Sequence, residues 1–355
     1  FQSIMDKQAR RNLGAHYTSE KNILKVIKPL FLDELWAGFE KVKLNRGMLI
    51  EFHKKLGRLK FFDPACGCGN FLIVTYKELR LLELDILREL HKEQQLHFDF
   101  ETISRISFDQ FYGIEIEEFP ARIAEVAMWL IDHQMNILLS QEFGGYYVRL
   151  PLQKSATIIN ADALEIDWED VVKKEELSYI LGNPPFIGSK LMKEEQRAQI
   201  TRLFMGIPGS GVLDYVTGWY QKAAEYIKGT NIKVAFVSTN SIVQGEQTGI
   251  LWGYLMNNFS VKIHFAHRTF KWSNEARGNA AVYCVIIGFA GFDTIDKRIY
   301  DYEDIRGEAH EIRAKNINPY LIDASDILIE SRSNPICDVP IMSFGNMPLD
   351  GGHLL

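Results

Sequence analysis

Leu59-Lys-Phe-Phe-Asp-Pro-Ala-Cys-Gly-Cys-Gly-Asn-Phe-Leu72 is the stretch on which the fold turns. Phe61 and Phe62 end an apolar run of strand type. Gly67 and Gly69 then permit a tight turn that brings backbone close to a ligand. A long helix is expected next, with Leu72, Tyr76, Leu79, Leu82, Ile86 and Leu90 at helical spacing on its buried face. Strand, glycine turn and helix in that order open a doubly wound α/β sheet. A Gly-x-Gly by itself is a weak signal. Asp63, just before the turn, adds a carboxylate aimed at the same crevice, which suits a ligand carrying an ammonium group and suits a pyrophosphate poorly.

Further strands follow the same plan. Gln110–Ile116 reads as a second strand ending at Glu115, a position where an acid in nucleotide-binding sheets accepts from ribose hydroxyls. Glu115 could equally be the acid at a helix start, because Glu117, Glu118 and Pro120 open a helix with Ile123, Val126, Ala127, Leu130 and Ile131 as its expected core face. Ala156–Leu164 reads as a third strand ending at Asp162, either an acceptor for an adenine amino group or a turn former. The fourth is Ser178-Tyr-Ile-Leu-Gly-Asn-Pro-Pro-Phe-Ile-Gly188, an apolar run stopped by two prolines, neither of which can donate to a sheet ladder. Asn183 there offers an amide carbonyl, and Phe186 a flat apolar face. Both suit a planar ligand with an exocyclic amino group, although an ordinary proline turn would read the same way.

Later elements are a polar, glycine-containing flap over 188–212 with Lys190, Lys193, Arg197 and Arg202, a helix over Asp214–Ile227, a strand over Ile232–Asn240 and a helix over Gly249–Met256. Strands Val261–His267 and Ala281–Phe289, joined without a helix, are expected to form an antiparallel hairpin. Its loop region holds Phe270, Lys271, Trp272 and Arg277, an aromatic and basic mix able to stack on a base or meet a phosphate. Upstream of the first strand, Thr18 or Ser19 can cap a helix carrying Ile23, Leu24, Ile27, Leu30 and Phe31, and residues 36–57 read as a second helical segment. The free N–H groups at that helix start can hold a carboxylate.

The 355 residues, 46% hydrophobic and 24% charged, describe a globular chain of one large domain plus an appendage, or two domains. A formal net charge of -6 argues against a surface basic all over, without excluding a local basic cleft. Cys66, Cys68, Cys284 and Cys337 have neither disulfide-framework nor zinc-site spacing, so no metal is expected. No run reaches membrane-spanning length and no signal peptide opens the chain, so a cytoplasmic location is expected. Residues 1–11 read as an engineered cleavage remnant plus an N-terminal arm, 12–57 as a helical segment, 58–290 as the core, and 291–355 as a linker toward a target-recognition domain lying beyond the chain.

Taken together, His16-Tyr17-Thr18-Ser19, Asp63 through Phe71, Glu115, Asp162 and Asn183-Pro184-Pro185-Phe186 resemble the gamma class of N6-adenine DNA methyltransferases. The likeness is greatest to the catalytic part of large type IIG-like restriction-modification and phage-defence enzymes. The resemblance covers most of residues 12–290, and Cys68 stands where that turn often has Ser. It implies a Rossmann-like α/β fold with a seven-stranded mixed sheet, one strand reversed, helices on both faces, and S-adenosylmethionine as methyl donor. By position it gives His16, Tyr17 and Thr18 to the methionine carboxylate and Asp63 to its ammonium, with Ala65, Gly67, Gly69, Asn70 and Phe71 forming the turn. Glu115 would take the ribose, Ile116 the adenine ring, and Asp162 with Ala163 the adenine edge. Asn183, Pro184, Pro185 and Phe186 would hold a flipped adenine of double-stranded DNA, with Lys190, Lys271, Trp272 and Arg277 against DNA. The alternatives are an RNA or protein amide methyltransferase, in which Asn-Pro-Pro-aromatic turns also occur, and a non-catalytic nucleotide-binding scaffold.

Overall fold

Alternation along the strands builds two cores at once. Phe61 packs with the first helices and Phe62 on the other face; Tyr179 and Leu181 face the first core and Ile180 the second, as Ala235 and Val237 do against Val234 and Phe236. A sheet buried on both sides must carry helices on both sides. The computed structural model describes residues 18–92, 104–143, 156–272, 282–329 and 337–338. His16, Tyr17 and Arg277 lie outside the described residues, as does the 1–11 stretch.

The strands are β1 Phe61–Asp63, β2 Phe111–Glu115, β3 Thr157–Asn160, β4 Tyr179–Gly182, β5 Lys233–Thr239, β6 Lys262–Trp272, β7 Val282–Ala290, β8 Lys297–Asp301 and β9 His310–Ala314. They form one sheet in the order β3-β2-β1-β4-β5-β7-β6-β8-β9. Strands β1 to β5 pair in parallel, and β7 runs antiparallel to both β5 and β6. The expected hairpin and reversed strand are therefore present. The strand count is nine where seven were expected. Strand β8 joins β6 in parallel and β9 closes the edge against β8, both within the stretch read as a linker. Four of the five β9 residues are exposed, so the edge lacks the apolar alternation that marks a strand in sequence.

The helices are α1 Glu20–Ile27, α2 Asp33–Val42, α3 Arg46–Leu56, α4 Asn70–His91, α5 Glu118–Phe143, α6 Glu194–Leu203, α7 Thr217–Tyr226 and α8 Gly245–Phe259. Pro29 lacks an N–H, and the chain passes it through a wide π turn, Lys28–Leu32, rather than a regular helix. The segment expected as a flap contains α6 and is seated on the second core through Met192, Ile200 and Phe204. Among the described residues no helix is long and apolar enough to cross a membrane, and no cluster of His, Cys, Asp and Glu could hold a metal.

Helix α5 turns inward a face that only partly overlaps the one expected. Of the expected positions Ile131 is buried, Ile123 and Ala127 are half-buried, and Val126 and Leu130 are exposed, whereas Ala124, Met128, Asp132 and Asn136 are buried. The reason is Arg80 of α4, itself buried, which meets Asp132 at 3.0 Å, Asn136 at 2.9 Å and Glu83 at 3.2 Å. Tyr76 hydroxyl donates to Asp132, and His53 of α3 contacts Glu83 at 2.7 Å. Burial pushes the Glu83 carboxyl up, but His53, Arg80 and the Arg105 N–H outweigh it and hold the group below its ordinary value.

Candidate active site

The C-terminal ends of β3, β2, β1 and β4 lie side by side, and each delivers a polar side chain there. Asp63 is the last residue of β1 and is 1% exposed. Its Oδ1 accepts from Ala65 N at 3.0 Å, while Oδ2 is buried with no partner among the described residues. Burial, with Glu115 adding to it against the Ala65 N–H, pushes the Asp63 carboxyl up to about 8. A buried carboxylate with a free oxygen fits a cationic group.

The turn after β1 is held by backbone and by Glu115. Gly67 has φ +55° and donates its N–H to Glu115 Oε2 at 2.9 Å; Gly69, at φ +83°, precedes the first turn of α4. No atom of the described residues lies within 4 Å of where a Cβ on Gly67 would point, so among them a ligand has room to approach that backbone. Glu115 also accepts from Glu117 N at 3.0 Å, yet burial still leaves its carboxyl above the ordinary value. Asn160, not singled out in the sequence, donates to the carbonyls of Glu115 and Ile116 at 3.0 and 2.9 Å and so fixes that strand end. Ile116 is 57% exposed, an apolar face open to a flat ring. Ala65 and Asn70 are half-buried, whereas Phe71 and Ala163 are buried.

Asp162 follows β3 and is already engaged. Its Oδ1 accepts from Leu164 N at 2.9 Å and its Oδ2 from Gln199 Nε2 of α6 at 2.7 Å; Tyr215 hydroxyl in turn donates to Gln199 Oε1 at 2.7 Å. Gln199 is a second residue that sequence reading did not find. Its only signal there was a polar position on an amphipathic helix.

Asn183 follows β4 directly. Its Nδ2 donates to Thr18 Oγ1 at 3.2 Å, and its Oδ1 is buried with no partner among the described residues. Pro184 is buried, Pro185 half-buried, and Phe186 packs partly buried between the two cores. The chain beyond is clamped by Asp214, which accepts from Ser189 N at 2.8 Å and from the Ser241 hydroxyl. Lys190 is exposed and Lys271 half-buried. Trp272, expected to face nucleic acid, is instead 4% exposed and packed beside Phe270 at a ring distance of 5.8 Å.

Gly182 lets β1 and β4 share this site. A Cβ there would lie 2.5 Å from Asp63 Oδ1. Gly182→Ala should therefore displace the carboxylate and destabilise the fold by roughly 1–3 kcal/mol, visible as a lower thermal midpoint. An unshifted midpoint would show that β4 can yield at no cost.

A mainly parallel sheet with β7 reversed inside it and β9 reversed at its edge, a glycine turn after β1 and polar side chains at four adjoining strand ends define a methyltransferase fold. The chain belongs to the family described as MmeI, DNA-methyltransferase domain, which matches residues 39–301. DNA methyltransferase A of Bacillus subtilis (strain 168) is 43% identical over 359 residues, spanning 100% of this chain and 40% of that protein. A solved structure of the type IIL restriction-modification enzyme MmeI in complex with DNA is 57% identical with a TM-score of 0.95, covering 99% of this chain and 47% of that one. The chain thus spans less than half the length of either relative.

Proposed function

We propose that this chain is the catalytic part of a restriction-modification or phage-defence protein. In this reading it transfers a methyl group from S-adenosylmethionine to N6 of an adenine turned out of double-stranded DNA. The observation that carries the proposal is a pair of buried acceptors with no partner among the described residues, Asp63 Oδ2 and Asn183 Oδ1, at the ends of the paired strands β1 and β4. One suits the ammonium of an amino-acid cofactor and the other the amino group of a base.

Asp63 would hold the methionine ammonium, Gly67 gives close backbone approach, Glu115 accepts from the ribose and Ile116 covers the adenine ring. Bound there, the donor supplies an electrophilic sulfonium methyl. The remaining work falls to the Asn183 turn. The lone pair of adenine N6 is delocalised into the ring, which makes the nitrogen a poor nucleophile. Acceptors for both amino hydrogens let it become more tetrahedral; in this reading Asn183 Oδ1 and the Pro184 carbonyl are those acceptors. Phe186 offers a stacking face for the flipped base, and Lys190, Lys271 and Arg277 are proposed phosphate contacts. Transfer is direct and in line, with positioning and electrostatics as the main contributions. Cys66, buried and with its thiol pushed well above the ordinary range by that burial, packs the turn rather than serving as a nucleophile.

Donor binding should depend on pH with a definite sign. Below about 8 the Asp63 carboxyl is mostly protonated and must lose its proton to meet an ammonium, so apparent affinity falls as pH falls, up to about tenfold per unit. Above about 8 the α-amino group of the donor loses its own charge and affinity falls again. Calorimetric titration from pH 6 to 9 should therefore show strongest binding near pH 8; a flat profile would contradict the role of Asp63. The function itself is tested by incubating the intact protein with labelled donor and plasmid, RNA or protein in parallel. Label is expected in DNA, and label only in RNA or protein would defeat the assignment.

A further inference from the structure

We propose that Thr18 is a positioning residue that couples donor binding to the orientation of the Asn183 amide. The inference rests on the reading of Asn183 as the acceptor for the target amino group.

An asparagine amide has nearly the same shape after a half-turn about its last torsion, but the turn exchanges an acceptor for a donor. Packing alone selects weakly between the two states. With Nδ2 toward the base, donor would meet donor and the amino group could not be gripped. Selection needs a neighbour able to tell oxygen from nitrogen. The side-chain neighbour of the Asn183 amide is Thr18 Oγ1, 3.2 Å from Nδ2, whereas Oδ1 has no partner among the described residues.

A hydroxyl can accept or donate, so while its proton is free Thr18 could hold the amide either way round. Among the described residues no acceptor is found for that proton. Thr18 is 4% exposed and immediately precedes Ser19, the N-cap of α1, where free N–H groups favour a carboxylate. A carboxylate arriving there takes the Thr18 proton as a hydrogen bond. Only oxygen lone pairs then remain toward Asn183, and they accept from Nδ2 alone. The amide is thereby locked with Oδ1 toward the base. The donor's carboxylate thus sets the catalytic amide through one hydroxyl, joining residues 165 apart in the chain.

The test uses the intact protein carrying Thr18→Val or Thr18→Ser, with two readouts: the Kd of S-adenosylhomocysteine by calorimetry, and the single-turnover rate with donor and DNA both saturating. A side chain that only holds the carboxylate would raise Kd and leave the saturated rate intact. The coupling predicts that Thr18→Val also lowers the saturated rate by about tenfold, the value of one lost hydrogen bond, and that Thr18→Ser restores it. In an Asn183→Asp background both carboxylate oxygens accept and there is no orientation to set, so the rate loss from Thr18→Val should shrink to within about threefold. A saturated rate for Thr18→Val within about twofold of the parent, or equal losses in both backgrounds, overturns the proposal. If the parent protein itself transfers no methyl to DNA adenine, the function reading fails instead, and the two failures are distinct.

Discussion

Asn183→Ala should lower methyl transfer by about 100- to 1,000-fold or more while changing donor affinity by less than about threefold. The asymmetry follows from where the atoms sit. Asn183 Oδ1 is buried with no partner among the described residues, and the amide is tied by Nδ2 to Thr18, so truncation removes the acceptor proposed for the base. The groups proposed for the donor are carried by other strands: Asp63 by β1, Glu115 by β2, and Asp162 just after β3. Single-turnover rates with labelled donor, set beside calorimetric donor binding, separate the two effects. Unchanged turnover in the variant would refute the mechanism.

Arg80→Leu should destabilise the domain by roughly 3–5 kcal/mol, the largest effect expected on folding, because it leaves buried charge without its partner. Arg80 meets Glu83 and Asp132 in a region closed to solvent, and Asn136 completes the ring of acceptors. Removing the guanidinium leaves Asp132 with Tyr76 and Asn136, and Glu83 with His53, Ser104 and the backbone of Arg105 and Ile106. Replacing Arg80, Glu83 and Asp132 together with apolar residues of similar volume should cost less than the single change, since no uncompensated charge remains. Urea unfolding of the two variants measures the difference. A single variant as stable as the parent would show that the network carries no net stabilisation.

The α5 face and the Arg80 network explain why some of the fold was legible and some was not. Strands β1, β2 and β4 announce themselves as short apolar runs ended by Asp63, Glu115 and Asn183, because a strand buried on both faces and a polar residue at its exit leave a local pattern. Helix α5 is apolar nearly all round, and its inward face is chosen by an ion pair with residues about 50 positions earlier, which periodicity cannot register. The same holds for Gln199 on Asp162 and for Thr18 on Asn183. Their partners are set by the tertiary fold, and neither residue type nor spacing records them. Strand β9 failed to show for a different reason: it is an edge strand with four of its five residues exposed, and β8 beside it is only five residues long with Lys297, Arg298 and Asp301 among them. Trp272 misled because an aromatic beside Lys271 in a hairpin looks like a stacking platform, whereas its ring closes the first core.

The central claim is most directly tested by the identity of the methylated atom. Plasmid DNA incubated with the intact protein and isotopically labelled S-adenosylmethionine would be digested to nucleosides and analysed by mass spectrometry. The label should appear in N6-methyladenine, and the Asn183→Ala protein should leave that nucleoside at background. Label in a cytosine derivative, or a signal at adenine N6 that persists without Asn183, would contradict the account.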